Sequence, residues 1–304
     1  MNKETVLIIG YGSIGKRHAK ILKKNKKIDK IFILTNQKIN DFHRVKSYSA
    51  IKKINPTYFI ISSRTSNHYK DLNFIIQNFK NKKILVEKPL FDKFKKIKNL
   101  NNNKVFIGYN LRLNPVIQYL KKYLTKKKVF HVGLYCHSYL PDWRKKINYQ
   151  NSNSAKKKYG GGVLLELSHE LDYLQFLFND IKKIYTASIK KFSNLITDTE
   201  DFALITGKTK KVNFVVDLNY FSRNNQRIII INGFNFSMRC DLINNFIELI
   251  KNKTKKIIRF KKDIDYTYNL ENKLIINNTS EQLCNFKQGL KLIKLIDKIK
   301  KDVN

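Results

Sequence analysis

A glycine-rich turn near the start of the chain has the clearest chemical meaning in this sequence. Gly10, Gly12 and Gly15 follow the spacing G-x-G-x-x-G, after the apolar run 6–9 and before an amphipathic stretch. In a strand–turn–helix unit, the first glycine permits the tight turn, the second lets the backbone approach a pyrophosphate, and the third lets helix pack on strand. The helix start adds free N–H groups and a positive dipole end. The pattern predicts dinucleotide binding; the alternative is an ordinary turn with chance glycines.

The end of the second predicted strand bears on which dinucleotide would bind. In an NAD-binding unit this place often carries an acid for the ribose 2′-hydroxyl, about 20 residues beyond the glycines. Here it holds residues 35–38, with Thr35 at the strand end, no carboxylate and Lys38 nearby. The absence of an acid favours NADP slightly over NAD, with Thr35 as a cofactor contact. The alternative is that Lys38 is one more solvated lysine.

A lysine follows the predicted strand 84–86, in the sequence Glu87-Lys88-Pro89. Pro89 has a fixed φ and pushes Lys88 toward extended geometry, so that Lys88 leaves the carboxyl end of the sheet. Ligands bind at that edge in open α/β sheets. Lys88 is therefore a candidate to share a proton with a substrate hydroxyl. Taken alone, its position favours the alternative of a surface lysine in a lysine-rich chain.

A second candidate cluster follows three consecutive glycines, residues 160–162, in a predicted helix over residues 163–178. On one helix, Glu166, His169 and Asp172 would share a face, because residues three apart are neighbours. Histidine beside a carboxylate is a plausible acid–base pair. No Cys or His partner lies nearby in sequence, so no metal site is predicted. The structural alternative is a hydrogen-bonded core histidine.

Alternating strands and helices are predicted around the first cluster. Short apolar runs separated by amphipathic stretches are typical of a parallel sheet covered by helices. The predicted strands are residues 6–9, 31–35, 58–61, 84–86 and 105–107; the predicted helices follow the glycine turn and cover residues 50–54, 72–79 with Ser66 as its cap, and 91–100.

The pattern changes near residues 108–115, which divides the chain into predicted domains 1–110 and 111–304. Successive apolar strands joined by short turns indicate a largely antiparallel sheet in the second domain. Its predicted strands are residues 129–139, 184–192, 202–206, 212–220, 227–232, 234–240 and 245–250, with helices at 116–124, 163–178 and 283–299 and a polar loop at 145–158.

Composition limits the class of protein. The 304 residues have room for two domains, no apolar run is long enough to cross a membrane, and Met1 is not followed by a secretory signal pattern. The three cysteines form no C-x-x-C pair, which favours a reducing cytoplasm. The net charge of +38 comes almost entirely from lysine, with arginine only nine of the 61 basic residues. Nucleic-acid binding is therefore not favoured, although the charge should attract anionic ligands.

Four motifs, in this order, resemble the Gfo/Idh/MocA family of oxidoreductases. They are the glycine turn, Glu87-Lys88-Pro89, Gly108-Tyr109-Asn110, and the triple-glycine stretch leading to His169. The resemblance covers about residues 4–178 and beyond them rests on the strand pattern alone. More narrowly, residues 140–144 and 168–172 resemble members associated with bacterial surface-sugar and nonulosonic acid pathways.

The resemblance implies an α/β Rossmann first domain with a parallel sheet and an α+β second domain with a largely antiparallel, open-faced sheet. The implied activity is hydride transfer between NAD or NADP and a hydroxyl or carbonyl of a sugar, cyclitol or nucleotide sugar. The open sheet face would pair subunits into a homodimer or homotetramer.

The resemblance also assigns roles to individual residues. The cofactor would lie against Gly10, Gly12, Ser13, Ile14, Gly15, Ser62, Ser63, His68, Glu87 and Lys88. The catalytic residues would be Lys88 and His169, with Glu166 and Asp172 as acidic helpers, and the substrate would contact Asn110, Trp143, Arg144 and His169.

One departure from the family pattern affects Glu166. Family members usually carry Asp four residues before the histidine, whereas Glu166 lies three before His169, so its role stays open. Two other functions also stay open. One is an NAD-dependent glycosidase of the same fold, and the other is a non-catalytic NAD(P)-sensing or nucleic-acid-associated protein.

Overall fold

The computed structural model describes residues 3–144, 148–261, 263 and 265–303. The chain forms two compact units, one of Met1–Asn110 with Asp265–Lys294, the other of Leu111–Ile264 with Leu295–Asn304. The break after Asn110 coincides with the predicted boundary. The same division groups Asp265–Lys294 with the first unit, whereas the sequence analysis places all residues from 111 to 304 in the second domain.

The elements of the first unit begin with an apolar strand, and strands alternate with helices except at two places where one strand follows another directly. In chain order they are β1 (Glu4–Ile9), α1 (Ser13–Lys23), β2 (Ile28–Leu34), β3 (His43–Val45), α2 (Tyr48–Ile54), β4 (Tyr58–Ile61), α3 (His68–Asn78), β5 (Lys83–Val86) and β6 (Lys104–Ile107).

The second unit follows with a helix, a long strand and a mixed region. Its elements are α4 (Pro115–Tyr123), β7 (Val129–Tyr139), α5 (Val163–Glu166), α6 (His169–Phe178), β8 (Ile181–Lys190), β9 (Phe202–Thr209), β10 (Asn213–Asn219), β11 (Phe221–Gly233), β12 (Phe236–Asp241), β13 (Phe246–Lys251) and β14 (Thr254–Arg259). The chain ends with α7 (Tyr266–Ile276), β15 (Cys284–Asn285) and α8 (Phe286–Val303). Of the predicted polar loop at 145–158, residues 145–147 lie outside the described residues, and the rest forms short 3-10 turns.

The sheet of the first unit has the order β15-β6-β5-β4-β1-β2-β3 within the described residues. All its pairs are parallel except that between β15 and β6. Residues 6–9 of β1 and 58–61 of β4 are buried, as expected for central strands covered on both faces. The parallel arrangement brings the ends of β1, β2, β4 and β5 to one edge of the sheet. The predicted fold class of this unit is confirmed.

The second unit contains a sheet of order β14-β13-β12-β11-β7-β10-β9-β8 in the part of the chain that is described. Only β7 and β10 pair in parallel there. Along β7, Val132 and Leu134 are fully buried, while His131 and Tyr135 are only partly covered. This alternation means that one face packs on helices and the other is open, which confirms the predicted largely antiparallel, open-faced sheet.

Two local predictions for the first unit fail. No helix forms at residues 91–100, where the segment is irregular; its apolar residues recur every third position only, and four lysines among them disfavour a helix through like-charge repulsion. Ser66 does not cap α3, because it lies inside a 3-10 turn, Thr65–Asn67, that leads into the helix. Strands β3 and β14 and helix α7 are absent from the prediction.

Candidate active site

The glycine turn has the geometry that its spacing predicts. Gly10 has φ +94°, and a Cβ there would lie 2.7 Å from the backbone nitrogen of Ser63. A Cβ at Gly15 would collide with the carbonyl oxygen of Gly10, so this glycine allows α1 to approach the turn. A Cβ at Gly12 would meet nothing within 4 Å. The backbone is therefore exposed where α1 begins at Ser13, and no acidic residue lies in the first turn. These features fit a pyrophosphate.

Serines at the end of β4 are engaged with the protein itself. The Ser62 hydroxyl donates to the carbonyl oxygen of Gly10 at 3.0 Å and so fixes the turn. The Ser63 hydroxyl donates to the Asp71 carboxylate at 2.5 Å, and the Tyr48 hydroxyl donates to the same carboxylate. Both serines therefore lie at the carboxyl end of β4, with their hydroxyl hydrogens already used.

His68 is a buried link rather than an exposed contact. It is 1% exposed. Its Nδ1 lies 2.9 Å from the carbonyl oxygen of Pro89, and its Nε2 lies 3.1 Å from that of Ser63. Burial lowers the pKa of His68, against the opposing effect of these two backbone contacts. The ring thus lies between the end of β4 and the turn that carries Lys88.

The end of β2 lacks an acid, as the sequence predicts, but an acid approaches from further along the chain. The Thr35 hydroxyl accepts from the Gln37 backbone N–H at 3.2 Å, and Lys38 is exposed. The carboxylate of Asp41 lies near Tyr11 in the glycine turn and, after burial, contributes to the raised pKa of that tyrosine. Asp41 lies six residues beyond Thr35, so the sequence analysis did not consider it.

Glu87 and Lys88 directly follow β5. The Glu87 carboxylate lies 2.8 Å from Nε2 of His18, and both groups are buried. A Cβ at Gly108 would be 3.0 Å from this carboxylate, so Gly108 leaves the carboxylate its space. Lys88 is half-buried and joined to Pro89 by a cis peptide bond. Glu87 therefore contacts His18, a partner that sequence spacing did not indicate.

Asn110 lies at the end of the first unit and is buried. Its side-chain amide donates to the Thr267 hydroxyl at 3.0 Å. This bond joins the Gly108-Tyr109-Asn110 motif to α7, so one hydrogen of the predicted substrate-binding amide is already used.

The predicted continuous helix at 163–178 is wrong. The helix α5 ends at Glu166, a turn forms at residues 167–168, and α6 begins at His169. Leu167 has φ −99° and ψ 28°, which rotates the chain out of helical geometry while both apolar segments stay buried. Glu166 and His169 therefore lie in different helices. The Glu166 carboxylate accepts from the Ser154 hydroxyl at 3.0 Å, and His169 is 9% exposed.

Two ion pairs involve residues that closely follow His169, one buried and one with a partly exposed arginine. The Asp172 carboxylate accepts two hydrogen bonds from Arg112, at 2.7 and 2.9 Å. The Glu170 carboxylate, fully buried, accepts from Nε of Arg227 at 2.8 Å. Glu170 and the two arginines were missed because their partners lie 57 to 60 residues away in sequence.

Trp143 and Arg144 line a small pocket of the second unit, together with Leu140, Tyr149, Ser152 and Ser154. The Trp143 indole N–H donates to the Ser138 hydroxyl at 3.0 Å. Its ring packs edge-to-face on Tyr220, with 5.2 Å between ring centroids. The structure therefore brings the two predicted substrate residues of this segment to one pocket with Ser154, the partner of Glu166.

Tyr220 was not anticipated from the sequence. It is fully buried, and its hydroxyl has no hydrogen-bond partner among the described residues. Burial raises the pKa of this phenol well above its usual range, with Glu166 and Glu200 adding to the effect. The sequence around Tyr220 has no distinctive pattern, so only its packing in the structure identifies it.

Two kinds of feature are absent from the described residues. No group of three or more His, Cys, Asp or Glu side chains there is arranged to hold a metal ion. No helix in the same residues has the length and apolar character needed to cross a membrane.

Comparison with known families assigns the first unit. The model of GFO_IDH_MocA, described as an oxidoreductase family with an NAD-binding Rossmann fold, matches residues 5–104. Over residues 5–104, the chain is similar to the Gfo/Idh/MocA family. The resemblance inferred from the motifs is thereby confirmed, and the chain carries the NAD-binding domain of an oxidoreductase.

Solved structures show that the likeness in fold extends over both units. UDP-N-acetylglucosamine 3-dehydrogenase GnnA from Acidithiobacillus ferrooxidans has a TM-score of 0.80 at 16% identity, covering 100% of this chain and 98% of that one. The WlbA dehydrogenase from Bordetella pertussis, in complex with NADH and UDP-GlcNAcA, gives 0.79 at 15% identity and covers 99% and 97%. A levoglucosan dehydrogenase complexed with NADH gives 0.84 at 15% identity, with 99% and 97% covered. The comparison with curated proteins found no match.

Proposed function

We propose that this protein is an NAD(P)-dependent dehydrogenase or reductase that transfers a hydride between the nicotinamide and a hydroxyl or carbonyl group of a sugar or nucleotide sugar. The observation that carries the proposal is the unobstructed backbone at Gly12, at the start of α1, in a domain of an NAD-binding family. A pyrophosphate placed there would meet free N–H groups and the positive end of the helix dipole.

Lys88 is the proposed residue that binds the reacting oxygen. It follows β5 at the edge of the sheet where the glycine turn lies, and it is half-buried. When bound, the nicotinamide supplies the hydride donor or acceptor. The Lys88 ammonium would orient the substrate oxygen and stabilise negative charge that develops on it.

His169 is the proposed proton donor or acceptor. It is the first residue of α6 and is 9% exposed. It lies three residues after Glu166, whose carboxylate accepts a hydrogen bond from Ser154. Imidazole changes charge near neutral pH, which suits transfer of the hydroxyl proton. We assign Glu166 and Asp172 supporting roles, because each carboxylate already accepts a hydrogen bond within the second unit.

The substrate class is proposed from the pocket and from the structural neighbours. Trp143 offers an aromatic surface and Arg144 a cation at the same pocket. Aromatic faces suit sugar rings, and a guanidinium suits the diphosphate of a nucleotide sugar. The structural neighbours are a UDP-N-acetylglucosamine 3-dehydrogenase, a dehydrogenase in complex with UDP-GlcNAcA and a levoglucosan dehydrogenase. The net charge of +38 would also attract an anionic substrate.

The choice between NAD and NADP is proposed as a slight preference for NADP. No carboxylate lies at residues 35–38 to repel a 2′-phosphate, and Lys38 is exposed there. Asp41 acts in the opposite direction, since its charge reaches Tyr11 in the glycine turn.

We further propose that the open face of the second sheet pairs two or four copies of the chain. Half-covered apolar residues lie on this face, among them Tyr135, Leu204 and Ile230. Sedimentation of the purified protein would test this: a dimer or tetramer is expected, and a monomer at micromolar concentration would contradict it.

A titration tests the proposed function. NADH and NADPH are added separately to the purified protein, and the fluorescence of the reduced nicotinamide is followed. Saturable binding is expected for at least one of them, tighter for NADPH. The control is Gly12→Ala, whose methyl group has space in the protein but would occupy the proposed pyrophosphate position, so it should fold normally and bind at least tenfold more weakly. Folded protein that binds neither nucleotide would overturn the proposal.

A substrate screen follows for protein that binds the cofactor. Oxidised cofactor is mixed with UDP-N-acetylglucosamine, its uronic acid and levoglucosan, and absorbance of the reduced nicotinamide is followed. Reduction with a nucleotide sugar is the expected result. A substrate that is cleaved while no reduced cofactor accumulates would instead indicate the glycosidase chemistry.

A further inference from the structure

A chain of buried hydrogen bonds leads from the returning helix α7 to the turn that carries Lys88. The side-chain nitrogen of Asn272 lies 3.0 Å from Nδ1 of His18, and Nε2 of His18 lies 2.8 Å from the Glu87 carboxylate. Asn272 is 1% exposed, and His18 is fully buried. The chain therefore connects α7, α1 and the end of β5 inside the first unit.

The orientation of the Asn272 amide is fixed by its other contacts. Its oxygen accepts from the Tyr58 hydroxyl at 2.9 Å, and its nitrogen also donates to the Tyr268 carbonyl oxygen at 2.8 Å. A carbonyl oxygen only accepts, so the side of the amide facing Tyr268 must be the nitrogen. The same nitrogen then donates its second hydrogen toward His18.

This orientation decides which nitrogen of His18 carries hydrogen. An amide nitrogen has no acceptor capacity, so Nδ1 of His18 must present a lone pair to Asn272. The hydrogen of the neutral ring is then on Nε2, which donates to the Glu87 carboxylate. The ring of Tyr268 packs edge-on against His18, with 5.5 Å between ring centroids.

We propose that Asn272 holds His18 in the Nε2–H tautomer, and that His18 thereby acts as a positioning residue for Glu87 and the adjacent Lys88. A Cβ at Gly108 would lie 3.0 Å from the Glu87 carboxylate, so glycine at this position leaves room for the carboxylate. The Glu87 backbone N–H donates to Ile61 at 2.8 Å. Because its side chain and its backbone N–H are both hydrogen-bonded, Glu87 fixes the direction in which the chain leaves the sheet at Lys88. The catalytic meaning of this inference rests on the proposed function.

Imidazole nitrogen NMR tests the tautomer directly and needs no nucleotide. The chain has only six histidines, and His18 is assigned by the signal that disappears in His18→Gln. In the wild type, Nε2 should be protonated and Nδ1 not. In Asn272→Asp the facing group becomes a carboxylate that only accepts, so Nδ1 should gain a hydrogen. A wild-type ring protonated on Nδ1, or an unchanged pattern in Asn272→Asp, would overturn the proposal.

A matched pair of variants tests positioning. The amide nitrogen of glutamine reaches about the place of Nε2 and can still donate to Glu87, whereas that of asparagine is too short. Hydrogen exchange at the Glu87 amide should become about tenfold faster or more in His18→Asn, the change expected for loss of a buried hydrogen bond to a charged group. It should stay near the wild-type rate in His18→Gln, and the Leu7 amide in β1 serves as the reference.

The outcomes separate this inference from the proposed function. Equal exchange at Glu87 in the two variants, or acceleration that is equally large at Leu7, would remove the positioning role and leave only a contribution to stability. Absence of NADH and NADPH binding in the wild type would remove the proposed function, while the tautomer and exchange results would still stand.

Discussion

Arg112 and Asp172 form a two-point ion pair inside the second unit, with Nε donating to Oδ2 at 2.9 Å and Nη2 to Oδ1 at 2.7 Å. The side chains are 5% and 4% exposed. The guanidinium also stacks over Phe176, 5.1 Å from its ring centroid. Through this ion pair, Asp172 joins α6, the helix that starts with His169, to the segment that follows Asn110.

Removal of one partner of this pair should destabilise the protein strongly. Asp172→Ala leaves the Arg112 charge buried and uncompensated, which should lower the free energy of unfolding by about 3–5 kcal/mol. The measurement is urea denaturation. The double variant Arg112→Met with Asp172→Leu should recover most of the loss. A variant that keeps its stability but loses turnover would instead indicate direct contact of Asp172 with substrate.

Lys88→Met should abolish turnover and leave cofactor binding nearly intact. Methionine keeps most of the length of lysine and removes its charge, so the turn at Pro89 should keep its shape. The NADH dissociation constant should change by about threefold or less, while the rate with the substrate found by screening should fall by about 10³-fold or more. Lys98→Met, on an exposed lysine, is the control. Full activity of Lys88→Met would refute the assigned role.

Gly15→Ala and Gly12→Ala should affect different properties. A methyl group at Gly15 would collide with the Gly10 carbonyl, so α1 must shift and stability should fall by about 1–3 kcal/mol. A methyl group at Gly12 meets no protein atom within 4 Å, and Gly12 has φ −75°, which alanine adopts readily. Thermal unfolding should therefore be altered only in Gly15→Ala. Equal destabilisation would contradict the proposed separation of packing and ligand roles.

His68 should make the first unit less stable in mild acid. Burial lowers the pKa of His68 from its usual 6.5, so below about pH 6.5 the unfolded chain binds a proton that the folded state resists. Stability is then complete above this pH and is lost as the pH falls. Unfolding measured between pH 7.5 and 5 should show a steeper loss for the wild type than for His68→Gln. Parallel curves would show that His68 does not contribute.

Tyr220 and Tyr173 offer a matched comparison in the second unit. The Tyr173 hydroxyl donates to Glu170 at 3.0 Å, whereas the equally buried Tyr220 hydroxyl has no partner among the described residues. Tyr173→Phe should lower the free energy of unfolding by about 1–2 kcal/mol. Tyr220→Phe should leave it unchanged or raise it. A similar loss in both would mean that a water molecule or ligand satisfies Tyr220.

The first strands and the glycine turn could be predicted because their signals are local. A run of four apolar residues and a glycine spacing specify β1 and α1 without reference to the rest of the chain. The helix α7 could not be predicted in the same way. Its buried face carries Glu271 and Asn272, so an apolar periodicity is weak, and the partners that justify these polar residues, among them His18 and Tyr58, lie more than 200 positions earlier.

The residues of the candidate site show the same difference between local sequence signals and long-range contacts. Lys88 and His169 could be selected from short motifs, and Trp143 with Arg144 from one turn. The groups that hold them could not, because Arg112, Arg227 and Asn272 acquire meaning only from side chains distant in sequence. The helix break at residues 167–168 could not be predicted either, since leucine and serine are both compatible with a helix.

The return of residues 265–294 to the first unit has a consequence for how the protein is made. On the ribosome, the glycine turn and the strands around it emerge early, yet the helix that carries Asn272 follows only after the whole second sheet has been synthesised. At about 5–20 residues per second, this interval lasts on the order of ten seconds. During that time His18 and Tyr58 lack their shared partner, so the nascent nucleotide-binding domain is exposed to misfolding and to chaperones until Asn272 has been synthesised.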